Sequence, residues 1–414
     1  MIDMLTGNRG RRAFEKCIES LIFRKKPFTL LLLSIDNFSI INEFYGHYCG
    51  DNVLMTVGQS LDELEDIEVF RLSGSQFVIV IKTDSRQNIQ GHINAIRHCI
   101  KLNGRLNHLK TDLTVSIGIV LSNEGLTNEE YYNRLNITLR YARADGKEGT
   151  RFFDDRFEEE LRNEVELEEQ FNIAIAQNEF ELHLQSLYQL NSNKIRGFEV
   201  LLRWPNRVRM DLNIGQIIEK AEKSGQIMAL DQWVVRNTFK MIKAHPDIFN
   251  HKTVCINVSA QSFLSFEFLK FFLREEEAHK INPKQIELEI TEYSMMHDLD
   301  RTIRMMMIYK SRGISFALDD FGTQYSSLNY LKELPFDVLK IDKSYIDSIC
   351  QDTKSTAIVR IILELCKELN LQTIAEGIET EEQKKLLESM GCEIGQGYYL
   401  DKPMPIAAYL QYVG

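Results

Sequence analysis

Five carboxylates, one carboxamide and one lysine recur at the same kind of place in the second half of the sequence: in or just after a short apolar run. Glu199 lies in Gly197–Leu202, Asn257 follows Val254–Ile256, and Glu289 lies in Ile286–Ile290. Asp319 and Asp320 follow Ile314–Leu318, Lys340 follows Phe336–Leu339, and Glu376 follows Leu371–Ala375. Five carboxylates gathered at one place repel each other by several kcal/mol, even at an effective dielectric of ~20. They must take up protons or hold cations. An all-oxygen set favours Mg²⁺, Mn²⁺ or Ca²⁺ over zinc. Asp319 and Asp320 are adjacent, so a regular strand turns them to opposite sides. Both reach one metal pair only where the strand gives way to a loop. Two such ions about 3.5–4 Å apart drive the hydrolysis of phosphate esters. Lys340 adds positive charge, orients water or assists proton transfer.

These residues need a frame that brings strand ends together. With Phe180–Leu184, which leads to Gln185, and Glu393–Tyr399, which carries Gln396, the runs number about eight in ~245 residues, with helix-length segments between. That rhythm predicts a (β/α)8 barrel with its site at the C-terminal mouths of the strands. Ahead of it, Thr29–Ile35, Phe77–Ile81 and Val115–Leu121 read as strands, and Val53–Leu64 and Ile89–Leu102 as helices. That predicts a separate α/β domain of ~150 residues. The acidic stretch DDRFEEELRNEVELEEQ (154–170) has helical spacing and no Gly or Pro; it reads as a solvated helix or as a stiff connector. The expected organisation is 1–153, a connector at 154–169, and 170–414.

Composition narrows the class. The 414 residues are 44% hydrophobic and 26% charged, so the chain is globular rather than disordered. A net charge of −11 gives no overall attraction for nucleic acid, and no nucleic-acid partner is expected. The seven cysteines are scattered without a CxxC pair, which points to reduced thiols in the cytoplasm rather than a disulfide frame or zinc site. No run is long enough to span a bilayer, so no transmembrane segment is expected. Taken singly, Lys340 with Asp342 suits a surface ion pair, and Glu376 with Glu379 suits a helix N-terminus. Only the whole set points to a metal centre.

The order of the blocks adds a resemblance. GFEVLLRW (197–204), INVSAQSF (256–263), ELEITE (287–292), ALDDFGTQYSSLNYLKELPFDVLKID (317–342), IAEGIET (374–380) and GQGYYLDKPMP (395–405) resemble the EAL-domain family of cyclic di-GMP phosphodiesterases. The resemblance implies a TIM-like barrel with one antiparallel strand and Mg²⁺- or Mn²⁺-dependent cleavage of cyclic di-GMP to linear pGpG. It implies two ions held by Glu199, Asn257, Glu289, Asp319, Asp320 and Glu376, with Lys340, Glu376 and Glu199 central to catalysis. It also implies substrate contacts from Gln185, Leu202, Arg203, Asp342 and Gln396, and loop support from Glu292. Three positions depart from the family. Val200 replaces the signature alanine, Ser186 follows Gln185 where proline is usual, and Gln324 replaces a glycine.

The first half resembles the GGDEF family of diguanylate cyclases through DMLTGNRGRRAF (3–14), SIDNFSIINEFYGHYCGDNVL (34–54), VSIGIV (115–120) and ARADGKEG (142–149). Asp36 matches a metal ligand of that family, and Asn42 and Asp51 match guanine contacts, so GTP is a candidate ligand. The signature itself is degraded. RLSGSQF (71–77) puts Ser73, Ser75 and Gln76 where Gly, Asp and Glu belong, and an amide binds Mg²⁺ less well than a carboxylate. The inhibitory RxxD motif is absent around Leu64–Ile67. The expectation is therefore a silent GGDEF-like regulatory domain followed by a phosphodiesterase, working as a homodimer and open to a protein partner. The alternatives are a receptor that holds cyclic di-GMP without cutting it, and a scaffold that binds no nucleotide.

Overall fold

A run of leucines flanked by Thr and Ser, TLLLLSI, has no polar face to give to water, so it belongs at the centre of a sheet covered on both sides. The computed structural model describes residues 2–106, 109, 112–123, 125–205, 212–291, 298–321 and 328–413. They divide into two units, Met1–Val165 and Glu166–Gly414. In the first, strands β1 (Arg9–Gly10), β2 (Thr29–Ile35), β3 (Ile67–Ser73), β4 (Gln76–Ile81), β5 (Val115–Leu121) and β6 (Thr150–Phe152) form one sheet in the order β1-β3-β4-β2-β5-β6. Strand β2 is that leucine run, buried throughout and antiparallel to β4 and β5. Its Leu30 and Leu32 pack with Phe14 and Ile18 of helix Arg11–Phe23 on one face. On the other face Leu31 and Leu33 pack with Val53 and Val57 of helix His47–Asp62 and Ile89 and Ile93 of helix Arg86–Leu106.

The second unit closes on itself. Strands β7 (Glu181–Gln189), β8 (Lys194–Arg203), β9 (Thr253–Asn257), β10 (Ile286–Thr291), β11 (Ser315–Phe321), β12 (Val338–Ile341), β13 (Gln372–Ala375) and β14 (Ile394–Gly395) run in that order around a ring. The ring shuts where β14 pairs with β7. From β8 to β14 neighbours are parallel, while β7 is antiparallel to both β8 and β14. This is the TIM-like barrel with one reversed strand that the resemblance implies. A short strand β15 (Met404–Pro405) adds to the outer edge of β7. Strand β14 is shorter than the expected Glu393–Tyr399, because the chain turns at Gly397 (φ +158).

The barrel is a frame for one layer of polar groups. Leu187, Cys255, Ala317, Val338, Ile374 and Ile394 form one buried layer. Side chains alternate along a strand. The next position on the same face is therefore Gln185 on the reversed strand, and Asn257, Asp319, Lys340, Glu376 and Gln396 on or just past the parallel ones. By the same two-residue step, Glu199 follows Gly197 and Glu289 follows Glu287. The outer packing includes Leu167, Phe171 and Ala174 from the later part of helix Asp155–Gln177. Phe171 meets Trp204 edge to face, with ring centroids 5.5 Å apart.

Candidate metal centre at the barrel mouth

Lys340 is 1% exposed and has no water to solvate its ammonium, so carboxylates must do so. Its Nζ lies 2.7 Å from Glu376 Oε1, 2.9 Å from Glu289 Oε2, 3.2 Å from Asp319 Oδ1 and 3.6 Å from Glu199 Oε1. Burial would depress the ammonium, but the four carboxylates outweigh it and hold its pKa well above the usual value. One cation cannot balance all of them. Burial pushes the Glu289 carboxyl well up, and Glu199 and Asp319 push the same way against Lys340. Burial, with Asp319 and Glu199 nearby, likewise pushes Glu376 up to about 8.

Glu199 is the exception. Burial pushes its carboxyl up, but Lys340 and the amide donors of Gln396 and Asn257 outweigh it and hold it below the usual range. Asn257 Nδ2 donates to Glu199 Oε1 at 2.9 Å, and Gln396 Nε2 donates to Glu199 Oε2 at 2.6 Å. Gln396 Nε2 also donates to Gln185 Oε1 at 2.8 Å. Two buried oxygens here, Glu289 Oε1 and Gln396 Oε1, find no hydrogen-bond donor among the described residues. Leaving such acceptors dry costs about 1–3 kcal/mol each.

Asp319 and Asp320 are brought together by a device other than the expected loop. Strand β11 runs on through Phe321, but its register with β12 shifts between Leu318 and Phe321, and Asp320 takes a left-handed conformation (φ +55). That bulge breaks the alternation that would send the two side chains apart. Left-handed backbone costs a non-glycine residue roughly 1–2 kcal/mol, strain of a kind found at functional sites. Ligand oxygens of Asp319, Asp320 and Glu376 all lie within 4.8 Å of one another. Burial, then the charges of Asp319 and Asp342, pushes Asp320 up to about 6. Oxygen-only donors, excess negative charge and unpartnered buried acceptors together fit a hard divalent cation.

A second group of ligand type lies one layer down, where Cys255, Glu287 and Glu289 also bring donor atoms within 4.8 Å. Here a cation is already present. Arg196 grips Glu287 with both arms, at 3.0 and 2.9 Å. Burial, with Glu287 and Glu289 alongside, pushes the Cys255 thiol well up, so it stays protonated and is a poor ligand.

Beside the mouth a cavity of about 280 Å³ is lined by Leu202, Arg203, Asn257, Glu289, Asp319 and Asp320, together with Ile218, Leu230 and Asp231. Arg203 Nη1 donates to the Leu202 carbonyl at 2.8 Å. Asp231 was not singled out in the sequence. Its Oδ2 accepts from Ser259 N at 3.1 Å and Ser259 Oγ at 2.6 Å, and burial raises its carboxyl to about 6. It sits in the apolar run ALDQWVV, and a lone acid among buried positions of a helix was the available signal. Asp342 caps helix Lys343–Asp347, its Oδ1 accepting from Ser344 N at 3.0 Å. Glu292 and Gln324 lie outside the described residues.

In the first unit a cavity of about 750 Å³ is lined by Asp36, Asn42, Gly74, Ser75, Arg143 and Lys147. Both Asp36 oxygens are engaged: Oδ2 accepts from Thr114 Oγ1 (2.8 Å) and Glu148 N (3.1 Å), and Oδ1 accepts from Ser116 Oγ (2.6 Å). Arg143 donates to Ser34 Oγ at the same cavity. Asp51 stands exposed on helix His47–Asp62 and is not among the lining residues.

Residues 168–403 match the EAL domain family, and residues 1–149 match the diguanylate cyclase GGDEF domain. The cyclic di-GMP phosphodiesterase NbdA of Pseudomonas aeruginosa is 30% identical over 99% of this chain and 54% of its own length. The bifunctional diguanylate cyclase/cyclic di-GMP phosphodiesterase MucR of the same organism is 29% identical over 94% of this chain and 58% of its own. The chain thus spans about half the length of the curated relatives it matches. Among solved structures, the PaMucR phosphodiesterase in complex with c-di-GMP superposes with a TM-score of 0.56 at 32% identity, covering 59% of this chain and 99% of that one. The EAL enzyme Bd1971, bound to cAMP and cyclic di-GMP, gives 0.59 at 26% identity over 73% of this chain and 82% of that one. No helix among the described residues is long and apolar enough to cross a membrane.

Proposed function

The chain belongs to the EAL domain family, with a GGDEF domain ahead of the barrel, and from that premise we propose that it hydrolyses cyclic di-GMP to linear pGpG using Mg²⁺ or Mn²⁺. The supporting observation is the meeting of Asp319, Asp320 and Glu376 oxygens within 4.8 Å of one another, beside the cavity. In this reading Glu199, Asn257, Glu289, Asp319, Asp320 and Glu376 hold two ions. Bound there, the ions supply Lewis acidity and make a water acidic enough to attack phosphorus near neutral pH. Lys340 keeps the carboxylates together and faces the charge that develops on the phosphate. Gln396 Oε1, unpartnered, is an acceptor able to orient a water proton. The Arg203 fork suits a phosphate oxygen. Asp231, which lines the cavity with Ile218 and Leu230, offers an acceptor to a guanine N–H, and Leu202 packs against the nucleotide.

The first unit, in this proposal, makes no cyclic di-GMP. Gln76 supplies no charge, and both oxygens of Asp36 are bonded to protein donors. GTP binding at Asn42 and Asp51, dimerisation and a protein partner remain parts of the proposal. The test is release of pGpG from labelled cyclic di-GMP with Mn²⁺, with and without GTP. Glu199→Ala, Asp319→Ala and Lys340→Ala should each abolish it. Unchanged turnover in all three rejects the site. Tight binding with the ligand intact after long incubation would instead make the chain a receptor.

A further inference from the structure

Ser186, which follows Gln185 where the family resemblance expects proline, is fully buried on β7. Its Oγ donates to Asp401 Oδ2 at 2.7 Å. Asp401 lies on the strap between β14 and β15. The strap is held at both ends. At Gly397 an added Cβ would lie 2.2 Å from the Ile378 backbone, so the chain rests directly on the segment that follows Glu376. At the far end Met404 and Pro405 pair with Leu184 and His183 of β7. In between, Asp401 N donates to Gly397 O at 2.9 Å.

From Asp401 a line of hydrogen bonds runs to the metal centre, and its polarity is set at its two ends. The Asp401 carbonyl can only accept, so Gln185 must turn its NH₂ toward it, at 3.0 Å. Gln185 Oε1 then faces Gln396, which must answer with its own NH₂, at 2.8 Å. The same NH₂ reaches Glu199 Oε2 at 2.6 Å, another group that, when ionised, only accepts. Gln396 Oε1 is thereby left pointing away from both, with no donor among the described residues. Were Gln185 to flip, its NH₂ would face the NH₂ of Gln396, and Gln396 would have to give up its bond to Gln185 or turn its amide oxygen on the Glu199 carboxylate.

We infer that Ser186 and Asp401 are positioning residues for the metal centre: their hydrogen bond pins the strap, the strap's carbonyl orients Gln185, and Gln185 orients Gln396 on Glu199. The inference rests on the proposed reading of Glu199 as a metal ligand. It concerns Ser186 and Asp401, which belong neither to the cavity lining nor to the group of ligand oxygens.

The test uses the full chain and Mn²⁺ itself, with free Mn²⁺ read by electron paramagnetic resonance, and kcat and KM for cyclic di-GMP at saturating Mn²⁺ as a second readout. Ser186→Ala and Asp401→Ala should each weaken Mn²⁺ binding about tenfold, the lower end for partners that orient ligands, with KM unchanged. Asp401→Asn keeps an acceptor for the Ser186 hydroxyl and should retain wild-type affinity. In a Gln396→Ala background, adding Ser186→Ala should weaken binding no further. Wild-type Mn²⁺ affinity in both alanine variants overturns the inference. So does an equal added loss in the Gln396→Ala background, which would mark a general packing defect. If Ser186→Ala does not fold, the contrast of Asp401→Ala with Asp401→Asn decides. A wild-type chain that binds no Mn²⁺ overturns the metal reading itself, and this inference with it.

Discussion

Replacing Lys340 by methionine keeps most of the length of the side chain and removes its charge, which tests the electrostatic role of the lysine. At an effective dielectric of ~20, each contact between Nζ and a carboxylate oxygen at 2.7–3.6 Å is worth about 5–6 kcal/mol before desolvation. Carboxylate oxygens no more than 4.8 Å apart, as among Asp319, Asp320 and Glu376, repel by at least about 3.5 kcal/mol per pair on the same scale. Desolvation removes much of the attraction, and breaking a buried ion pair by deleting one partner typically destabilises by about 3–5 kcal/mol. That loss is expected for Lys340→Met in EDTA. Its pH dependence has a defined sign. A carboxyl whose pKa is raised in the folded state, as Glu376 is to about 8, keeps its proton on folding. It favours the folded state below its unfolded pKa, and that contribution fades as pH rises through about 8. The variant should therefore be hurt most at pH 8.5 and less at pH 6, where the carboxyls take up protons. Mn²⁺ should restore stability at high pH. Both tryptophans, Trp204 and Trp233, lie in the barrel unit, so urea unfolding followed by tryptophan fluorescence reports on that unit. A loss below about 1 kcal/mol, or one equal at both pH values, would refute the idea that Lys340 balances the acidic cage.

Asp231→Asn should raise KM for cyclic di-GMP about tenfold or more, since a buried carboxylate–donor contact is lost. In the wild type KM should climb as pH falls through about 6, where Asp231 takes up its proton; a flat KM from pH 5 to 8 would remove Asp231 from the binding site. Arg196→Met should destabilise the barrel unit by about 3–5 kcal/mol by leaving Glu287 charged and buried, read by the same unfolding assay. Labelled GTP with Mg²⁺ should give no cyclic di-GMP; any product would show that the first unit retains cyclase chemistry despite Gln76.

The barrel was legible because its parallel strands are short, mostly apolar runs with polar residues within them or just after them. Val254–Ile256, Ile286–Ile290 and Leu371–Ala375 lie within or overlap the observed strands almost residue for residue. Strands β2 and β5 match Thr29–Ile35 and Val115–Leu121. Strand β3 was missed because IEVFRLS mixes polar with apolar residues and leaves several side chains only partly buried. Glu393–Tyr399 was read too long, since hydrophobicity does not reveal the turn at Gly397. The convergence of the mouth residues could be anticipated, because period two sets the inward positions. The Asp319–Asp320 bulge could not, because a left-handed aspartate has no compositional mark. Asp231 was hidden for a different reason: its partner Ser259 is 28 positions away, and only the fold brings them together.

The reversed first strand also bears on synthesis at the ribosome. Strand β7 ends at Gln189, yet the strand that closes the ring against it, Ile394–Gly395, emerges about two hundred residues later. At roughly 5–20 residues per second, β7 and β8 wait for tens of seconds before the seam can shut. The sheet of the first unit, complete at Phe152, needs no such delay. Nascent chains stalled just before residue 394 should therefore resist protease over the first unit while their barrel segment is digested, and release past the C-terminus should convert that segment to a resistant form.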